Sequence, residues 1–491
     1  MDTVPGVGRD APRNPAVLVV GAGMSGIGLC VRLKQAGITD ITVVEKADRI
    51  GGTWRDNTYP GLTCDVPAAI YQYSFALNPD WSSCMAPGAE IRDYLERVVD
   101  RYGLRPHILL GRRLTSARFA DGKWQAVTAD GTTFTVDFLV SATGFLHRPR
   151  TPALEGGDAF RGAAFHSARW DHSVDLAGKR VAIVGTGSTG VQLVTALAGT
   201  AHRLTVFQRT PQWVLPLPNW RTGRVARGLR RRFPRLHKAE RRLLFALYYW
   251  FFSPAFVEPG WRRRLIGRLC RAHLRTVTDP ELRRRLAPAY PPLCKRIVMS
   301  HRYYRAAQHP SVSFVTDRIT RLVPHGVETE NGTLHEADVL IYATGFDAHS
   351  YLRPAELTGP SGRSLSEAWA QGATSYYGIA HPDFPNFFML IGPHSPVGND
   401  SITAVGEVQA RYVVQWIDIW RRSCISTIAP TREATDRFRA RVRQALPATV
   451  WTAGCHSWYL NQHGDPEVWP WTAKQYADAL ATPDPGDFTV R

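Results

Sequence analysis

The chain has 491 residues, 44% hydrophobic and 21% charged, a globular composition with core enough for about three domains. Its formal charge of +18 invites an anionic partner, but 19 Lys and Arg against 4 acids fall between Arg221 and Ala287, so nearly the whole excess sits in one segment. The seven cysteines form no CxxC pair and no metal-ligand spacing, which speaks against a structural zinc, a dithiol redox centre or a secreted disulfide framework, and for a reducing, cytoplasmic setting.

The first 15 residues lack an apolar stretch, so no signal peptide is expected. The run Ala16–Val20 then reads as a buried strand entering Gly21-Ala-Gly23-Met-Ser25-Gly26 and a helical pattern to about Gln35. In such a turn the first glycine allows the bend, the second lets backbone approach a pyrophosphate, and the third lets helix pack on strand. The helix N-terminus then faces the anion. Glu45 ends the next strand, 19 residues after Gly26, where a carboxylate binds ribose hydroxyls. The strand DFLVSATGF (137–145) follows.

The theme then repeats. Val181–Val184 enters Gly185-Thr186-Gly187-Ser188-Thr189-Gly190 and a second helix. The strand after it ends in Arg209-Thr210 with no acid, a combination that accepts a 2′-phosphate and selects NADPH over NADH. DVLIYATGF (338–346) is a near copy of 137–145. Between the two halves of this second unit lies a basic, helix-rich stretch with an Asp279-Pro280 helix start. Its apolar run Leu243–Phe252 is too short to span a bilayer. A solvated face over a buried helix is the favoured reading of that stretch, and contact of its arginine-flanked aromatics with a membrane surface the less favoured one. No nucleic-acid-binding motif is present. NFFMLIGP (386–393) reads as a last strand before a Trp- and Pro-rich tail.

The expected fold class is therefore α/β, with two interleaved Rossmann-like dinucleotide-binding domains, one for FAD and one for NADP, and a helical insertion. Residues 1–145 and 346–491 form the FAD unit, 146–220 and 292–345 the NADP unit, and 221–291 the insertion. One nucleotide site before an NADPH site suggests a flavin enzyme to which nicotinamide delivers hydride.

Two further motifs carry a resemblance. Phe160-Arg-Gly162-Ala-Ala-Phe-His166-Ser-Ala-Arg-Trp170-Asp171 is similar to the FxGxxxHxxxW(P/D) fingerprint of the Baeyer–Villiger monooxygenases. Gly51-Gly-Thr53-Trp54 through Tyr59-Pro-Gly-Leu-Thr-Cys-Asp65 resembles that family's GxWxxxxYPGxxxD segment. The resemblance runs from about residue 16 to 475. It implies an FAD-containing, NADPH- and O2-dependent enzyme that converts a ketone to an ester or lactone through a C4a-peroxyflavin. Related enzymes oxygenate nitrogen or sulfur instead, and that is the alternative.

By the same resemblance, Arg296 in Pro291-Pro-Leu-Cys-Lys295-Arg296 is the active-site arginine and Asp65 its partner near the flavin. Trp54 and Tyr71 contact the flavin, joining Gly21, Gly23, Ser25, Gly26, Glu45 and Thr53. Lys295 joins Arg209 and Thr210 at the 2′-phosphate, and Trp458 lies on a loop closing over the nicotinamide nucleotide. Val397, Gly398, Asn399 and Ile402 line the substrate pocket, and no metal is implied. Arg55 departs from the family, standing where many members carry an aromatic. For His166, satisfying linker backbone while the lobes rotate is favoured over acid–base chemistry. The aromatic insertion points to a bulky or lipophilic ketone.

Overall fold

The computed structural model describes residues 13–491, so most of the stretch in which a signal peptide was sought lies outside the described residues. Val17–Val20 (β1) is buried at every position, as a central parallel strand covered on both faces requires. It passes through the glycine turn into helix Met24–Gln35 (α1) and returns as Ile41–Val44 (β2). Ile108–Leu109 (β3), Phe138–Ser141 (β4), Ala163–His166 (β5) and Arg180–Val184 (β6) follow. Helix Ser188–Leu197 (α2) and Arg203–Phe207 (β7) precede three helices, Arg224–Arg232 (α3), Pro234–Val257 (α4) and Trp261–Leu274 (α5). Val312–Val315 (β8), Val339–Tyr342 (β9), Phe387–Met389 (β10) and helix Ile402–Arg421 (α6) complete the frame.

Two five-stranded parallel sheets result, ordered β10-β4-β1-β2-β3 and β8-β7-β6-β9-β5. Each seats its glycine-turn strand at the centre, between the strand that follows the helix and the strand ending in Ala-Thr-Gly. The closing bonds match as well. Gly21 N donates to Val44 O (2.8 Å) and Ala142 N to Val20 O (2.9 Å), while Gly185 N donates to Phe207 O (3.1 Å) and Ala343 N to Val184 O (2.9 Å). In both units a three-stranded antiparallel meander (114–136 and 319–336) delivers the chain to the Ala-Thr-Gly strand.

The units meet where the Tyr59 segment docks on α2. Tyr59 Oη donates to Gln192 Oε1 (2.8 Å), and Gln192 Nε2 donates to Thr63 O (2.9 Å). Helix α6 crosses α1 so closely that a Cβ on Gly406 would stand 3.2 Å from Ser25 Oγ.

In the basic stretch, Asp279 caps its helix by accepting from Glu281 N (2.8 Å), as the Asp-Pro start predicts. The expected burial of Leu243–Phe252 does not hold. Helix α4 lies on the surface as a two-sided element: Leu243 (61% exposed), Leu247 (50%) and Trp250 (56%) face out, while Tyr248 and Phe252 pack inward. Among the described residues, no helix is long and apolar enough to cross a membrane.

The three glycines of each turn are demanded by different things. A Cβ on Gly26 would meet Gly21 O at 2.0 Å, and one on Gly21 would meet Ala142 O at 2.7 Å. Gly23 is different: its nearest obstacle is Gly52 Cα at 3.7 Å, an ordinary contact. Gly26→Ala therefore forces backbone apart and should cost about 1–3 kcal/mol of stability. Gly23→Ala should leave the thermal midpoint of the ligand-free protein unchanged while lowering its dinucleotide content. Equal loss of stability in both variants would contradict this division.

Candidate active site

The geometry centres on two residues 231 positions apart. Arg296 Nε and Nη2 donate to Asp65 Oδ2 and Oδ1, both at 2.8 Å, a parallel two-bond pair. Burial pushes the Asp65 carboxyl up, but the charge and hydrogen bonds of Arg296 outweigh it, so its pKa lies below the usual carboxylate value. Burial works against the guanidinium too, yet Asp65 holds its pKa well above normal. Arg296 remains a cation at any working pH. Its free Nη1 donates to Val397 O (3.3 Å), tying it to the Val397–Ile402 loop.

Trp54 Nε1 donates to Tyr71 Oη (3.1 Å) with the rings edge-on at 5.6 Å, and burial carries the Tyr71 hydroxyl far above the usual tyrosine range. Thr53 opens the short helix bearing Trp54. Glu45 is buried. One of its oxygens accepts from Ala22 N (2.9 Å), and the other accepts from Ala47 N (3.0 Å) and Arg55 (2.9 Å). An ionised carboxylate has about four acceptor positions, so room remains for a ribose hydroxyl. Arg55, the departure from the family pattern, is thus the partner of Glu45.

In the second unit Gly185, Gly187 and Gly190 repeat the glycine logic. Cβ atoms at the outer two would meet Ala343 O at 2.4 Å and Gly185 O at 2.3 Å, whereas among the described residues nothing lies within 4 Å of one at Gly187. Ser188 begins α2, Thr186 Oγ1 donates to Thr210 O (2.6 Å), and Thr189 Oγ1 reaches Tyr59 Oη at 3.4 Å. Lys295 is half-buried with its ammonium 4.6 Å from the Tyr290 ring centroid; burial and then repulsion from Arg209 lower its pKa. The two cations that the 2′-phosphate reading requires thus lie close enough for their charges to act on each other.

The fingerprint residues pack within the second unit, and Trp170 reaches the first through Tyr59. Phe160 is buried, and a Cβ on Gly162 would stand 2.4 Å from Asp338 O. His166 Nε2 lies 3.0 Å from Gly345 O, and Nδ1 accepts from Ala168 N (3.1 Å). Both ring nitrogens are committed to backbone and burial lowers the pKa, which favours a neutral, structural imidazole. Trp170 packs against Tyr59 (6.5 Å) and Phe165 (5.1 Å), so the linker is in contact with the Tyr59 segment.

Trp458 stacks on Phe145 at 5.3 Å, beside a small cavity lined in part by Val397, Tyr351 and Tyr459. Gly398 is fixed by Trp451, 2.6 Å from where its Cβ would be, and Asn399 Nδ2 donates to Trp471 O (2.8 Å). Ile402 is the first residue of α6.

Three features escaped the sequence. Tyr248 and Tyr249 reach inward from α4, and the charges of Asp400, Arg296 and Asp65 all act on the Tyr248 hydroxyl; nothing in the run LLFALYYWFF distinguishes these from core aromatics. Asp400 is buried, accepts from Tyr249 Oη at 3.4 Å, and burial pushes its pKa up to about 7. The third is a correction. Cys294 and Cys455, 161 residues apart and both buried, form a disulfide that joins the Arg296 segment to the loop carrying Trp458. The pairing is made by the fold, so cysteine spacing gave no sign of it and gives no ground against dithiol chemistry.

The shape and polarity of both turns fit dinucleotides. At Gly23 and Gly187 the protein itself does not require glycine, whereas close approach of a pyrophosphate does. Among the described residues, Asn399 Oδ1, Ser401 Oγ and Thr403 Oγ1 are buried without a protein partner, leaving polar atoms for a ligand beside the Arg296 loop.

The raised pKa of Asp400 has a consequence for stability. Between the unfolded value of 3.8 and about 7, only the folded state holds the proton. The stabilisation is complete below pH 4 and lost as pH rises to about 7, on the order of 4 kcal/mol across the window. Thermal melts of Asp400→Asn beside the natural protein should show the variant gaining on it from pH 4 to 7 and no further above. A difference independent of pH would contradict the buried, protonated carboxyl.

Residues 18–219 match the family model described as pyridine nucleotide-disulphide oxidoreductase. The chain is 52% identical over 479 residues to an uncharacterized monooxygenase of Mycobacterium tuberculosis, spanning 98% of this chain and 97% of that one. It is 37% identical over 485 residues to a Baeyer-Villiger monooxygenase of Streptomyces coelicolor, spanning 96% and 92%. Among solved structures, OTEMO in complex with FAD and NADP matches with a TM-score of 0.87 at 27% identity, covering 98% of this chain and 100% of that one. Likeness of this extent to a named member shows that the chain belongs to the Baeyer–Villiger monooxygenase family.

Proposed function

We propose that this chain holds FAD on the Gly21 turn and NADPH on the Gly185 turn, and uses O2 to convert a ketone into an ester or lactone. The observation that carries the reading is the two-bond Asp65–Arg296 pair, which joins segments 231 residues apart and is tied to the Val397 loop. The domain limits given above belong to the same proposal, as does a cytoplasmic setting, although the Cys294–Cys455 disulfide removes the cysteine pattern as its ground.

Bound flavin supplies the activation of O2, and bound nicotinamide supplies the hydride that first reduces it. The residues of the chain do the rest. Gly21, Gly23 and Gly26, with Ser25 and Glu45, seat the first nucleotide; Thr53, Trp54 and Tyr71 wall its reactive end. Gly185 through Gly190 seat the second, and Arg209, Thr210 and Lys295 take its 2′-phosphate. Arg296 holds fixed positive charge where negative charge develops on oxygen, and Asp65 fixes the plane of the guanidinium so that no reorientation is needed during reaction. Phe145, Trp458 and Tyr459 close the cavity side and exclude water. Val397, Gly398, Asn399 and Ile402 shape the substrate side. The aromatic wall of Tyr248 and Phe252 suits a bulky, lipophilic ketone. His166 keeps the linker in register and moves no proton.

The test is product analysis with a panel of ketones beside a thioether, under NADPH and air. Ester or lactone formation supports the reading; sulfoxide alone, with every ketone inert, would overturn it. Two substitutions sharpen it. Arg296→Ala should lower ester formation about a hundredfold or more while NADPH oxidation continues with release of hydrogen peroxide. Arg209→Ala should raise KM for NADPH about tenfold and leave that for NADH unchanged. An unchanged NADPH preference would remove Arg209 from the 2′-phosphate site.

A further inference from the structure

Eleven of the fifteen large apolar side chains that are exposed among the described residues fall between Trp220 and Leu269. Scattered exposed leucines need no explanation, but a concentration of this kind in one surface does. The residues lie at helical spacing: Leu236, Leu243, Leu247 and Trp250 on α4, and Trp261, Leu265 and Leu269 on α5. The two stripes join, because Trp250 and Trp261 pack ring to ring at 5.8 Å. Arg262 lies over both rings, 5.2 Å and 5.0 Å from their centroids.

The same segment carries the excess charge. Of its 19 basic residues, only Arg230, Arg231, Arg241, Arg284 and Arg285 reach a carboxylate among the described residues. Arg235, Arg242, Arg264 and Arg268 flank the apolar stripes and are exposed. Long cationic side chains beside exposed Trp and Leu form the arrangement that settles at a lipid–water boundary, apolar atoms among acyl chains and guanidinium groups among headgroups.

We propose that this face, built by α3, α4 and α5, docks on an anionic phospholipid bilayer. Charge complementarity favours that occupant. A second copy of the chain would set one strongly basic face against another. A nucleic acid would satisfy the arginines but leave the Leu and Trp stripes without an apolar partner.

Docking through this face has a consequence for the active site, because α4 belongs to both. Its inner side carries Tyr249 to Asp400 and Tyr248 to the surroundings of Arg296, and Ser253 Oγ accepts from Ala473 N (2.9 Å). The wall of the site is thus one helix thick from the bilayer, and the ketone is one that partitions into membranes. This last step rests on the oxygenation reading; docking itself does not, and is measured without turnover.

The experiment is co-sedimentation of the purified holoenzyme with vesicles of equimolar phosphatidylcholine and phosphatidylglycerol, beside vesicles of phosphatidylcholine alone. The protein should pellet with the anionic vesicles at low ionic strength and be released by high salt. Leu247→Ser/Trp250→Ser and Arg235→Gln/Arg242→Gln should each weaken binding about tenfold or more. Both double variants should keep the parent's melting midpoint and its turnover of a small water-soluble substrate, since these residues are exposed and outside the site. Failure to pellet with anionic vesicles overturns the proposal. So does a complex with heparin or RNA that is insensitive to Leu247→Ser/Trp250→Ser, if vesicles bind no better than such polyanions. A dimer in light scattering that the same variant dissociates, with vesicles left unbound, assigns the face to a second copy instead.

Discussion

A cation fixed in place by one carboxylate is the constraint around which the rest of this structure is arranged. Arg296 belongs to the second nucleotide unit and Asp65 to the first, and their two-bond contact can form only when the units are docked. The docking is in turn enforced nearby, through Tyr59 and Thr63 on Gln192 and through Trp170 on Tyr59. The disulfide between Cys294 and Cys455 ties the segment before Arg296 to the loop that carries Trp458. Each of these contacts is local and modest. Together they leave the guanidinium little freedom, which is what electrostatic stabilisation of developing charge requires.

The pair also explains the polarity of its surroundings. Burial would ordinarily return Asp65 to its neutral form, and Arg296 prevents it. Asp400 is buried nearby with no cation bonded to it among the described residues, and its pKa rises to about 7. Two carboxylates in one region are thus driven to opposite states by their partners. The ionised one holds a cation still, and the other stays largely protonated below neutral pH and able to donate.

Much of the frame was legible in the sequence, for a physical reason. A glycine turn between a buried strand and a helix is a local structure whose steric demands appear within six residues, as Gly21 and Gly26 illustrate. The near copies at 137–145 and 338–346 lie in equivalent positions of two sheets with the same strand order. Asp65 and Arg296 were named from motifs far apart in the chain, and the fold places them in contact. What spacing did not reveal was tertiary. Nothing local distinguishes Cys294 and Cys455 from the five free cysteines, or the inward face of α4 from its outward one. The exposure of Leu243, Leu247 and Trp250 has the same origin: hydrophobicity says that a surface wants to leave water, not that the same chain covers it.

The measurement that bears most directly on this account is a double-mutant cycle at Asp65 and Arg296, read as ester formed per NADPH oxidised in the natural enzyme, Asp65→Ala, Arg296→Ala and the combined variant. If the carboxylate acts by holding the guanidinium, the combined loss should be no greater than that of Arg296→Ala alone. Losses that multiply would mean the two residues contribute independently, and the idea of a single preset cation at the centre of the site would fail.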